Sequence, residues 1–127
     1  MLQKEIIKKF NDITKDLLND MKGIIGSSYS FKFNMISRVN SSLPIQKFNV
    51  NVLKFKKYIL EKNPEYFTNE SIIINELKDF SDNEKEYYMN EYYYLKNIYE
   101  NIDNQSKDNL WDILIVLTYL CENYHNN

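Results

Sequence analysis

The chain has 127 residues, 43% hydrophobic and 27% charged, with a net charge of -2. That is the size and balance of one globular domain with a buried core, not of a strongly basic nucleic-acid binder or an acidic tail. One Cys excludes an intrachain disulfide and every all-Cys zinc site, one His excludes His-rich metal centres, and two Gly exclude glycine-rich phosphate loops.

Ala is absent and Arg38 is the sole arginine, while Asn, Lys, Ile and Tyr abound. The pattern follows an AT-rich genome, so the number of tyrosines is not by itself a functional signal. The N-terminus interleaves charges with apolar residues and lacks the apolar run of a signal peptide. The most apolar stretch, residues 110–121, contains Asp112 and is too short to span a bilayer, which takes about 20 residues. A soluble protein of a reducing compartment is expected.

Ile6, Phe10, Ile13, Leu17 and Met21 recur at helical spacing, with Lys4, Lys8, Asn11 and Lys15 facing outward. Gly23 is the expected stop. Residues 24–28 form a link. Tyr29, Phe31, Phe33 and Met35 alternate as in a strand, but a strand here has no obvious partner; strand and helix both stay open, and a short helix over residues 30–39 fits the rest of the chain better. Its aromatics are expected to be buried. Residues 40–44 read as a loop.

Phe48, Val52, Phe55 and Ile59 define a helix of about fifteen residues. Asn63-Pro64 ends it and starts a turn carrying Glu65, Tyr66 and Phe67. Thr68 or Asn69 caps a short helix with Ile72, Ile73, Leu77 and Phe80, although the β-branched run 72–74 also suits a strand. Ser81 and Glu84 form a capping box that opens a helix with Tyr88, Tyr92, Leu95, Tyr99 and Ile102 on one face. Ser106 is the expected cap of the last helix, with Asp108 in its first turn. Leu110, Leu114, Leu117 and Cys121 line that helix, which fades by Tyr124, and Trp111 should be buried against the first helix or the Tyr-rich one. The fold expected is all-α, a single-domain bundle of five to six helices.

Cys121 reads as a small core residue, and His125 beside it lacks an orienting group for Cys-His chemistry. The carboxylates Glu84, Glu86, Glu91 and Glu100 have no metal-ligand spacing, and Asp79, Asp82 and Glu84 lack the Gly and closing Glu of a calcium loop. No catalytic, cofactor or metal site is expected. Lys54, Lys56 and Lys57, with Phe55 and Tyr58 interleaved, form an alternative nucleic-acid face, but arginine forks are nearly absent and a solvated helix face is preferred. In the Tyr-rich helix, Tyr87 and Tyr94 are seven apart and share a second stripe, which Tyr93 widens. These three are the expected protein-binding face, for a partner or for self-association.

Residues 48–124 resemble small helical proteins, or C-terminal helical domains, of mimivirus-type nucleocytoplasmic large DNA viruses. The features are the turn Glu61-Lys-Asn-Pro-Glu-Tyr-Phe67 and the closing Ser106-Lys-Asp-Asn-Leu-Trp-Asp-Ile-Leu-Ile-Val-Leu-Thr-Tyr-Leu120. Asp112 and Ile113 stand where an aromatic-Leu pair is commoner, and the acidic segment before the helix is shortened to Asp103-Asn104. The resemblance implies a viral, non-enzymatic protein of the host cytoplasm or virion. The favoured reading is a protein that acts through contacts with itself or another protein, structural or adaptor-like; a helical-bundle inhibitor of a host pathway is an alternative.

Overall fold

The computed structural model describes residues 2–126, leaving aside the side chains of Tyr66 and Phe67. Helix α1 (Gln3–Asp20) buries Ile6 and Phe10 and keeps its lysines outside. It ends before Gly23, which lies inside the one-turn helix α2 (Lys22–Ile25). The residue that breaks the chain is Gly26, whose φ of 84° is open to a residue without Cβ. The expected link of residues 24–28 is therefore partly helical, and Ile25 is buried.

Residues 29–35 are helical, within α3 (Ser28–Val39). There is no strand among the described residues, so an isolated one here would leave its backbone groups unpaired, whereas a helix satisfies them locally. The expected burial of the α3 aromatics fails in part. Phe31 is 65% exposed, and Ser30 takes the buried position, its hydroxyl donating to Asn19 Oδ1 at 2.8 Å.

Helix α4 (Leu43–Asn51) begins one residue before Pro44, in what the sequence suggested was loop. Proline in a first turn removes only an amide that would have been unpaired. The expected long helix through Ile59 is broken. A 3-10 turn (Leu53–Phe55) separates α4 from α5 (Lys56–Leu60). The run Asn49-Val-Asn-Val52 has low helix propensity, which accounts for a break there. Phe55 and Ile59 still turn inward. Lys62 follows with φ 53°, the left-handed conformation that ends the helix.

Helix α6 (Glu65–Thr68) and α7 (Glu70–Glu76) come next, with the Asn69 side chain accepting from the Ser71 amide as cap. The 72–74 run is helical, not a strand. Helix α8 (Asp82–Asn101) carries the Ser81–Glu84 capping box. Helix α9 (Asn104–Asn126) starts earlier and ends later than the sequence suggested. Its first turn is capped by Asp103, whose Oδ1 accepts from the Ser106 amide at 2.7 Å, so Ser106 is capped rather than capping. The chain thus forms more, shorter helices than the five to six expected.

The centre is built from α1, α4 and α9. Gln3 Nε2 donates to the Tyr124 carbonyl at 3.1 Å, which sets α1 and α9 antiparallel. Ile6, Phe10, Ile45, Leu117, Leu120 and Cys121 form the core, with Phe10 edge-on to Phe48 at 5.4 Å. Each such side chain contributes about 1.5–3 kcal/mol on full burial. None of the described helices is long and apolar enough to cross a membrane.

Candidate functional site

Helices α7 and α8 contrast with that centre. Neither has a buried residue, although α8 is 20 residues long. Tyr88, Tyr92, Leu95 and Tyr99 lie on one face of α8, an apolar stripe that could pack into a core. Instead Tyr88 is 43% and Leu95 is 41% exposed. Tyr92, Leu95 and Tyr99 of the stripe face a groove of about 300 Å³ between α8 and the corner where α1, α2 and α3 meet. Leu18, Met21, Ile25 and Tyr29 form one wall, and Leu95, Ile98, Tyr99 and Ile102 form the other. The floor includes Leu110 of α9. Close by, Trp111 is buried as expected, against Tyr99 of the Tyr-rich helix.

Two polar groups mark the groove. The Tyr92 hydroxyl is buried without a hydrogen-bond partner. Lys96 lies 5.8 Å from the centroid of the Tyr92 ring, and no carboxylate pairs with it among the described residues. Near the start of α8, Phe80 and Tyr88 form an exposed edge-to-face pair at 5.5 Å.

The structure separates the three tyrosines chosen from sequence. Tyr94 reaches the α2 corner, where its hydroxyl donates to the Ile25 carbonyl at 3.2 Å. Tyr87 lies on the same side, near the Tyr29 hydroxyl, which donates to Glu91. Burial and that carboxylate hold the Tyr29 phenol well above its usual pKa. Tyr93 points the other way and donates to Glu70 of α7, which, with burial, raises its pKa. All three remain about half exposed, so they are accessible on two sides of α8 rather than as one patch.

The basic run is largely engaged within the fold. Lys54 pairs with Glu76, and Lys56 pairs with Glu122 at 2.7 Å. Lys57 is exposed and Tyr58 is half-buried. Cys121 is fully buried, with Sγ 3.6 Å from the Ile45 carbonyl oxygen. Burial, with Glu122 adding to it, pushes the thiol up to about 11, which disfavours the thiolate a nucleophile needs. His125 is exposed and packs on Tyr124. Among the described residues, no group of three or more His, Cys, Asp or Glu side chains is placed to hold a metal.

The groove residues were legible as apolar, but their exposure was not. A signal was present in Ile25 and Tyr29, apolar residues just past the first helix that line this groove. Compared with protein-family models, curated proteins and solved structures, the chain matches none.

Proposed function

We propose that this is a non-enzymatic protein that self-associates through the α8 face, as a structural or virion-associated component would. The observation that carries this reading is a long helix with no buried residue beside an apolar groove. The surface area agrees: the 15.4 kDa chain exposes 8182 Å², where a folded monomer of that mass exposes about 7,200 Å². The difference, about 1,000 Å², is close to the roughly 800 Å² that each partner contributes to a standard interface.

The same helix supplies both a projection and a recess. Phe80 and Tyr88 project near its start, and the groove beside Leu95 and Tyr99 lies near its end. Antiparallel pairing of two α8 helices about Asn90 brings each projection toward the other copy's recess. It also sets Lys96 opposite Glu84 of the second copy, giving that ammonium a carboxylate. Such reciprocal contacts define a two-fold interface. The resemblance of residues 48–124 to mimivirus-type proteins supports a viral role in the host cytoplasm or virion. The buried, poorly ionised Cys121 supports the non-enzymatic part of the reading.

Chemical cross-linking tests the arrangement. Single-cysteine variants Tyr88→Cys and Tyr92→Cys, which this pairing sets opposite each other on the joined face, should give a disulfide-linked dimer when mixed under mild oxidation in a Cys121→Ala background. A chain that stays monomeric on oxidation, while circular dichroism shows an intact fold, contradicts the two-fold reading.

A further inference from the structure

A second surface, on the opposite wall of α1, carries a different chemistry. Lys4, Lys8, Asn11 and Lys15 recur at spacings of four, three and four, so they form one row about 16 Å long. Helix α3 lies beside that row, and an open cleft of about 640 Å³ runs between them. Phe33 and Arg38 enter it from α3. Asp12 is the one carboxylate in its lining, and it is paired with Lys8 at 2.6 Å. Lys4, Lys15 and Arg38 have no ion pair among the described residues, whereas Lys54, Lys56 and Lys62 are all bonded across elements. Three cations without an ion pair among the described residues, the sole arginine included, thus line one cleft.

A second observation points to a ligand. Asn11 donates its side-chain amide to the Ser41 carbonyl at 2.8 Å, but its own carbonyl oxygen Oδ1 is buried with no donor. A buried acceptor without a partner is disfavoured, and a shift of the Asn11 side chain toward the cleft would expose it to a ligand N–H or O–H. Phe33, half-buried in the same cleft, offers a ring face. Cations for phosphate, an acceptor for an N–H or hydroxyl, and a ring for stacking match one kind of molecule.

We propose that the α1–α3 cleft binds nucleoside phosphates, free or as units of a single-stranded nucleic acid. The linear row of cations follows a strand's backbone, Phe33 stacks a base, and Asn11 accepts from a base or sugar donor. This site is separate from the α8 face, and its test does not depend on self-association.

Fluorescence anisotropy of a labelled oligothymidylate or oligouridylate of about 12 nucleotides provides the test. Binding should be measurable at about 50 mM salt and weaken at about 200 mM, with a log–log slope near -2 for three neutralised phosphates. The double variant Lys15→Gln, Arg38→Gln should lose about tenfold or more in affinity and show a shallower slope. Asn11→Leu should weaken binding at unchanged slope. The control Lys54→Gln, Lys57→Gln should bind as the parent does. Competition with ATP and with inorganic phosphate separates the sources. Displacement by ATP at the strand's own phosphate concentration identifies the free nucleotide as ligand, and weaker displacement identifies the strand. No binding at low salt overturns the proposal. So does equal loss in the control variant, or inorganic phosphate competing as well as ATP.

Discussion

The Trp111 indole N–H donates to the Tyr99 hydroxyl at 2.9 Å, with the two rings edge-to-face at 6.3 Å. This contact ties the loosely packed α8 to α9. Trp111→Ala should destabilise the fold by about 3–5 kcal/mol, the range for emptying a buried aromatic site. Tyr99→Phe keeps the packing and should cost about 0.5–1.5 kcal/mol, a net hydrogen bond. Urea unfolding of both variants checks this. In Tyr99→Phe, emission of the sole tryptophan reports whether the indole stays buried.

The Ser81–Glu84 box starts a helix that has no buried residue, so local interactions carry an unusual share of its stability. Ser81→Ala should cost about 0.5–2 kcal/mol. Amide exchange should speed up mainly in the first turns of α8. An equal acceleration across α1 and α9 would mean that the helices unfold as one unit.

Alkaline pH should weaken the fold. Cys121 has a folded pKa raised from 9.0 to about 11, and Tyr29 is also raised. The folded state thus favours the protonated thiol. Its contribution is complete below pH 9 and declines as pH rises from about 9 to about 11. Chemical denaturation at several pH values should show this decline, and Cys121→Ala should flatten it. Wild-type Cys121 should also react slowly with thiol reagents, at a rate set by opening of the core.

Lys62 holds a left-handed backbone while its ammonium meets Asp108 at 2.7 Å and Asp112 at 2.8 Å. Lys62→Gly loses the pairs but relieves the backbone, whereas Lys62→Ala loses the pairs and keeps the strain. The glycine variant should therefore melt above the alanine variant. The reverse order would mean that the αL conformation at this position carries no cost.

Much of this fold could be read from the chain. Ile6 and Phe10, Leu117 and Cys121, and the Ser81–Glu84 box each follow from local spacing, because core-facing periodicity and cap chemistry are local properties. The break after Asn51 and the helical turn at Lys22–Ile25 were harder to foresee, since short helices depend on what packs beside them. The α8 stripe shows the limit most clearly. Periodicity marked Tyr88, Tyr92, Leu95 and Tyr99 as one apolar face, but whether such a face is filled depends on how many neighbours reach it. Likewise, the cations of the α1–α3 cleft were visible as an outward-facing row. That Arg38 joins them while Lys54 and Lys56 are paired elsewhere is a tertiary fact.

The central claim is that the α8 face joins two copies of the chain. Sedimentation velocity across a wide concentration range tests it most directly, comparing the parent with Tyr88→Ser, Leu95→Ser. Both residues are about half exposed, so the variant should keep its helical circular dichroism. The account predicts a parent that sediments as a dimer at micromolar concentration and a variant that sediments as a monomer. A parent that remains monomeric throughout, or a variant that associates as the parent does, would contradict it.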